Sequence, residues 1–440
     1  MSEAETGGGL LRGGAMSFAL KALNAAIAFG LTVMLARSLG ADGYGVYAYT
    51  VALVVLMSIP AEGGLPILVV RETAAAQARG DWGGVRGLWQ WAAGAALAVS
   101  LLVAAVSAPV AWLAQDHFSR VELAAFALAL ALVPMIVLAN LAGAALRGLH
   151  RVILGQLPEF VLRPAALLIA IAVFLLVAPE AMRADIAVAL HATAALLALI
   201  ATAALLLYLR PPQLGARPVA HYDSRRWLAS ALPLTLVSAM QVIHQNTDLV
   251  MLGFFRPSSD VGIYRVVAQA ALVIGFGLNA VNLVVAPRFA RHYARGEMEA
   301  LQRIATRSAR LVLALTLPIV LIFVLVAGPI IALVFGEEYR GGETALAILA
   351  VGQLANAGFG SVGFLLNMTG HERDTARGMG IAAGANVLLN LALIPFFGLE
   401  GAATATAVTL VLWNILLWRA VRLRLGVDST ALAWRVPGPR

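Results

Sequence analysis

Trp227-Leu-Ala-Ser-Ala-Leu-Pro-Leu-Thr-Leu-Val-Ser-Ala-Met-Gln-Val-Ile-His-Gln-Asn-Thr-Asp-Leu-Val-Met-Leu-Gly-Phe-Phe255 is apolar at both ends and polar in the middle. Its length suits a bilayer, whose hydrocarbon takes about 20 residues of helix at ~1.5 Å each. Gln241, His244, Gln245 and Asp248 fall at i, i+3, i+4 and i+7, so they share one helical face, which Ser238 extends by a turn. A carboxylate facing lipid at mid-depth costs at least about 2.5 kcal/mol, so this face turns to protein or to a watery cavity. Two readings fit: a buried interhelical hydrogen-bond seam, or a polar wall along a transport route. We take the second as the working expectation.

The rest of the chain agrees with a membrane setting. Of its 440 residues 61% are hydrophobic and 12% charged, whereas soluble globular chains carry about 25% charged residues. No segment alternates as the strands of a membrane barrel do. With no cysteine, disulfides, thiolate metal sites and cysteine nucleophiles are excluded. The net charge of +8 does not mark a nucleic-acid binder, because the basic residues sit in short loops between apolar segments, where they set topology. There is no GxxxxGK[ST] phosphate loop, no HExxH metal pair and no nucleophile elbow. Polar residues within the apolar segments are sparse and mostly amide or hydroxyl, which suits passage better than bond-breaking. The expectation is a non-enzyme with no metal and no cofactor.

Twelve apolar segments lie near 14–36, 46–69, 88–113, 121–145, 157–178, 185–208, 227–254, 261–286, 308–334, 343–367, 376–396 and 401–420. The first is read as a retained span and not a cleaved signal, since Glu3 and Glu5 make its start acidic and Lys21 interrupts the apolar run. Loops after even-numbered segments hold seventeen arginines, among them Arg79, Arg217, Arg295 and Arg373, against five after odd-numbered ones. Basic residues accumulate on the cytoplasmic side, so both termini and the even loops are expected there, in a bacterial cytoplasmic membrane.

The chain also repeats itself. Asp42-Gly43-Tyr44-Gly45-Val46-Tyr47 opens span two and Asp260-Val261-Gly262-Ile263-Tyr264 opens span eight; Arg71 and Arg79 echo Arg288 and Arg295; Gly148-Leu149-His150-Arg151 echoes Gly370-His371-Glu372-Arg373. Six spans per repeat keep one orientation, so the expected fold is all-α and polytopic, with two six-helix lobes related by a pseudo-two-fold axis along the membrane normal. The lobes are placed at 1–210 and 227–425, with a cytoplasmic linker at 211–226 and a cytoplasmic tail at 426–440.

Ionisable residues inside spans mark candidate sites. Lys21 and Asn24 share a face of span one with Ser17, although Lys21 lies close enough to the cytoplasmic end to snorkel. Glu159 and Arg163, at i and i+4 in span five, are spaced to pair, as a structural or a functional couple. Arg265, early in span eight, has no evident local partner. Glu62 sits among Pro60, Gly63, Gly64 and Pro66, where span two should be broken, and span ten repeats that character around Gly358, Gly360 and Gly363. Asn386 and Asn390 read as packing glue in span eleven.

The Leu39-Gly40-Ala41-Asp42-Gly43-Tyr44-Gly45-Val46-Tyr47 turn resembles that of polysaccharide flippases of the MOP superfamily, the Wzx-type transporters of O-antigen and capsule units. The likeness continues through Asp248-Leu249-Val250-Met251-Leu252-Gly253, Val261-Gly262-Ile263-Tyr264 and Pro287-Arg288-Phe289, and covers about residues 10–425. It implies a MATE/MOP-like bundle that moves a polyprenyl-diphosphate-linked oligosaccharide across the membrane by alternating access. Its expected partners are that lipid-linked substrate, membrane lipids and polysaccharide polymerase or assembly proteins, with no nucleic acid. By their chemistry Lys21, Asn24, Arg163, Gln241, His244, Gln245, Asp248 and Arg265 are candidates for lining the cavity, and Glu62, Glu159 and Asp248 for coupling to an ion or proton. Three other readings stand beside it: a cation-coupled MATE-like exporter of multidrug type, a membrane glycosyltransferase, for which the loops are too short, and a scaffold whose polar stripes close into seams.

Overall fold

The computed structural model describes residues 3–113, 115–216 and 218–433; the side chains of 3–15, Phe18, His117, Val237, His244 and Leu283 lie outside the described set, as do Arg217 and residues 434–440. Among the described residues there is no strand. Ten helices are long and apolar enough to cross a membrane. Two of these, Glu3–Glu62 and Glu372–Leu425, each hold a pair of spans joined at a non-helical glycine. Gly40 has φ 67° and ψ 179°, Gly398 φ 54° and ψ −123°, conformations that only glycine enters without strain. All twelve expected spans are thereby present, and the chain is an all-α multi-pass membrane protein. It forms two compact units, Met1–Val242 and Ile243–Arg440.

Local sequence explains the span ends. Ser119-Arg120-Val121-Glu122 forms a capping box on Arg120–Gly148: the Glu122 N–H donates to Ser119 Oγ (3.2 Å), and the Ser119 N–H donates to Glu122 Oε2 (2.7 Å). Where apolar side chains stay exposed, as at Leu101, Leu102, Val106 and Val110 of Trp82–Leu113, they present the face that hydrocarbon covers. Helix Arg120–Gly148 buries residues all around its circumference, packing on the helix of spans one and two, on Leu65–Ala78 and on the third, fifth and sixth spans. Its Gly143 lies against the Gly155 backbone closely enough that a methyl group would not fit, the small-residue contact that lets helices approach without a hydrophobic drive.

Span two is broken as expected. The helix stops at Glu62 and resumes as Leu65–Ala78. The freed Gly64 N–H donates to Thr235 Oγ1 at 3.0 Å, and that hydroxyl donates to Ala231 O at 2.9 Å. Thr235 belongs to helix Ser224–Phe255, so the first half of that helix braces the break. The linker is equally tied down. His221 N–H donates to Gly83 O (3.1 Å), Arg86 Nη1 to Pro218 O (2.8 Å) and Tyr222 OH to Gln90 Oε1 (2.7 Å). Gly83 and Gly87 leave no room for a Cβ against Val219 and His221, so residues 218–222 lie as an extended strap along the start of span three.

Span ten also breaks, with Glu343–Phe359 ending at Gly360 and Val362–Met368 following. Here the brace is the C-terminal segment. Ala431 N–H donates to Gly358 O (2.9 Å) and Ser429 Oγ to Phe359 O (3.1 Å). Arg310 donates to Ala431 O and Ala433 O, each at 3.0 Å. Asp428 Oδ1 accepts from Trp418 Nε1 (3.0 Å), Thr430 N–H (3.1 Å) and Thr430 Oγ1 (2.9 Å). Val427, Ser429 and Ala431 are buried, and Val427 joins the second unit's core.

Asp428→Ala removes the acceptor for three donors. It should lower stability by about 1–3 kcal/mol and depress the thermal unfolding midpoint of the detergent-solubilised protein; an unchanged midpoint would show that the segment is not held by this residue.

Candidate functional site

Each unit contains a polar cluster at membrane depth. In the first unit it gathers on spans one, two, four and five. Asn140 Nδ2 donates to Glu62 Oε1 at 2.9 Å, which ties the break in span two to span four. Arg147 donates to Gly155 O (3.3 Å) and reaches Glu159 at 3.8 Å. The expected Glu159–Arg163 pair is not formed; Glu159 turns to Arg147 instead. Pro158–Leu162 is a turn of π-helix, a local departure from α winding, and it is Arg147 of span four that comes within ion-pair distance of the Glu159 carboxylate.

Arg163 is therefore left half-buried in an apolar span, within electrostatic reach of Glu159, Glu62 and Tyr47. Among the described residues it makes no ion pair and no side-chain hydrogen bond. Lys21 stands over the Phe160 ring, 6.0 Å from its centroid, so the lysine of span one and the arginine of span five flank the same π turn. Asn24 is half-buried on the same helix as Lys21.

The cluster of the second unit is built around Asp248, which is 8% exposed. Tyr264 OH donates to its Oδ2 at 3.0 Å, Asn390 Nδ2 to its Oδ1 at 2.9 Å, and Thr406 Oγ1 also donates to Oδ2. Spans seven, eight, eleven and twelve thus converge on one carboxylate. No cation from the protein pairs with it among the described residues. The carboxylate is held by neutral donors, and the Asn390 Oδ1 beside it has no hydrogen-bond partner. Asn390 Nδ2 also donates to Asn386 O (2.9 Å) and Oδ1 (3.1 Å), so these asparagines do bind spans together, as their pattern suggests.

The polar face of helix Ser224–Phe255 is therefore not uniform. Gln241 and Gln245 are exposed, Asp248 is enclosed, and the His244 side chain lies outside the described residues. Arg265 is half-buried in span eight. Sequence reasoning missed Tyr47, His191, Asn140, Tyr264 and Thr406. A signal for some of them was present in the repeat. Tyr47 and Tyr264 close the two matching Asp-to-Tyr turns, and each finds a partner within its own unit, on span six and span twelve: Tyr47 OH with His191 Nδ1 (3.1 Å), Tyr264 OH with Thr406 Oγ1 (3.4 Å). Thr406, inside an Ala-Thr repeat, carried no signal of its own.

A family model described as polysaccharide biosynthesis protein matches residues 10–292. The chain belongs to that family. A second model, MatE, matches residues 233–396. Among related sequences, "Probable flippase AglR" of Haloferax volcanii is 31% identical over 177 residues, which is 40% of this chain and 37% of that protein. "Probable low-salt glycan biosynthesis flippase Agl15" of the same organism is 25% identical over 169 residues, 38% and 36% of the two chains. The match thus spans little more than a third of either relative's length. Two solved structures share the fold. An inward-facing MATE family transporter of the MOP superfamily superposes with TM-score 0.68 at 15% identity, over 92% of this chain and 94% of that one. The lipid II flippase MurJ, inward closed, gives 0.71 at 11% identity over 93% and 87%. At those identities the likeness is one of fold.

Because the chain has no cysteine, single cysteines report accessibility directly. Cysteines at 241 and 245 should react with a small water-borne thiol reagent, and one at 248 should be protected along with 239, 243 and 250. Equal reactivity at 245 and 248 would contradict the enclosed Asp248.

Proposed function

We propose that this protein is a flippase that carries a polyprenyl-diphosphate-linked oligosaccharide from the cytoplasmic to the outer leaflet of the cytoplasmic membrane by alternating access, for a cell-surface polysaccharide. Arg163 carries the reading: a guanidinium in an apolar span without a direct partner among the described residues, with Lys21 over Phe160 of the adjoining π turn. Moving a sugar diphosphate through hydrocarbon is prohibitive unless a polar path replaces its hydration. Free cations meet the diphosphate and exposed amides such as Gln241 and Gln245 meet the sugars, while the polyprenyl tail stays in lipid. Membership of the polysaccharide biosynthesis family supports the class of cargo.

Energy enters, in this reading, at Asp248. A buried carboxylate without a protein cation, next to an unpartnered amide oxygen and a threonine hydroxyl, offers oxygen ligands to a small hard cation or a place for a proton. Both termini and the arginine-rich loops lie in the cytoplasm. The MatE match over residues 233–396 favours one rival, a cation-coupled exporter of amphiphilic small molecules, which would use the same Asp248 but not the cations of the first unit.

Lys21→Ala, Arg163→Ala and Arg265→Ala should each lower export of surface polysaccharide about ten- to a hundredfold at unchanged protein level, the equivalent of roughly 1.5–3 kcal/mol for a charge-assisted contact. A Glu159→Gln/Arg163→Gln double variant guards against a stranded charge: restored protein level without restored export places Arg163 on the substrate. Full export from all three alanine variants, with loss of drug efflux from Asp248→Asn, would favour the exporter instead.

The topology has its own check. Cysteines at 79, 295 and 373 should resist an impermeant reagent added outside whole cells, and those at 183, 256 and 338 should react. The opposite pattern would invert the assignment.

A further inference from the structure

We infer that the arginine-rich end of spans eight and nine holds an anionic phospholipid of the surrounding bilayer, its phosphate between Arg288 and Arg307 and its acyl chains along Val281, Val284 and Leu311. The inference rests on the chain spanning a membrane and not on the flippase reading. These residues line one cavity of about 450 Å³, which lies wholly within the second unit.

The two helices that form it, Ser258–Ala294 and Met298–Leu325, run in opposite directions yet order the cavity in the same sense. On the first, Val281, Val284 and Arg288 fall at i, i+3 and i+7, so the chain reaches the cation about 6–10 Å beyond the valines. On the second, Arg307 comes first and Leu311 follows about 6 Å deeper. Both guanidinium groups thus stand at the arginine-rich end, with an apolar wall extending from them toward the bilayer centre. Val284 is 57% and Leu311 52% exposed, so no described protein segment covers that wall.

Three other arginines of this region are engaged. Arg295 pairs with Glu297 and Arg303 with Glu299, and Arg310 holds the carbonyls of residues 431 and 433. Arg288 and Arg307 have no ion pair among the described residues. Two free cations above an exposed apolar groove complement a lipid phosphate, and basic pockets between spans at the membrane surface bind such headgroups. The lining also decides between lipids. Its one hydroxyl, Ser308 Oγ, already donates to Ala305 O at 2.8 Å, and no amide side chain lines the cavity. A glycan would find no partners there, which points to a small-headed membrane lipid and away from the lipid-linked oligosaccharide.

The test uses the full-length protein in a neutral detergent, titrated with phosphatidylglycerol, phosphatidylcholine or polyprenyl diphosphate, with the thermal unfolding midpoint as readout. Phosphatidylglycerol should raise the midpoint and phosphatidylcholine should not. Arg288→Gln/Arg307→Gln should weaken the apparent affinity about 25-fold and each single change about fivefold, from ~1 kcal/mol per arginine near a charged headgroup. Arg291→Gln, on the same helix but outside the cavity lining, should behave as wild type. Should the double Gln variant fold poorly, Arg288→Lys/Arg307→Lys takes its place and should keep the response, since a point charge suffices for a phosphate. An undiminished phosphatidylglycerol response in the double variant overturns the inference. So does stabilisation by polyprenyl diphosphate alone, which would make the cavity a substrate site.

Discussion

Hydrocarbon contains no water to bond a stray peptide group, and this protein's irregular segments are arranged around that fact. A helix satisfies its own N–H and C=O groups, but a break at membrane depth frees several of them. At Gly64 the freed N–H goes to Thr235, whose hydroxyl is anchored on its own helix. At Gly358–Gly360 the partners are residues 429–431, brought back from beyond the last span. The breaks therefore cannot stand alone. Span two needs the beginning of span seven, and span ten needs the chain's end.

A second consequence of low dielectric is that a carboxylate's choice of cation marks the whole cluster. Glu159 lies in the π turn at Pro158–Leu162, with one cation on its own span and another on span four. As built, Arg147 takes the carboxylate and Arg163 is released. Buried proline at the start of that turn, having no N–H to give, is well placed where the helical ladder is already irregular.

The two clusters differ in kind. In the first unit acids and bases are interleaved, so an anionic cargo can be met by a cation without leaving the site strongly charged when empty. In the second, a single carboxylate is surrounded by hydroxyl and amide donors. Such donors soften the cost of burying one charge but do not cancel it. In the proposed function this asymmetry assigns the cargo's phosphates to one unit and the driving ion to the other. Tyr47 and Tyr264 make corresponding contacts in the two units, to His191 and Thr406, while the charged residues around them differ.

Class, span number and the two helix breaks were legible in the sequence, because each depends on properties that run along the chain: apolar length, the loop distribution of arginine, and proline or glycine at fixed positions. The shared face of Gln241, Gln245 and Asp248 was legible for the same reason, since helical periodicity is local. What became of that face was not. Asp248 is enclosed because Tyr264, Asn390 and Thr406 come to it from three other spans, up to 158 residues away, and no spacing rule reaches that far. The i, i+4 pairing of Glu159 with Arg163 failed because a cation of span four, Arg147, reaches the carboxylate, which local spacing does not show. Residues 426–440 read as a cytoplasmic tail, and only packing against the broken tenth span buries Val427, Ser429 and Ala431. Periodicity determines which side chains share a face; the neighbours that face meets, and hence its chemistry, are set by tertiary contact.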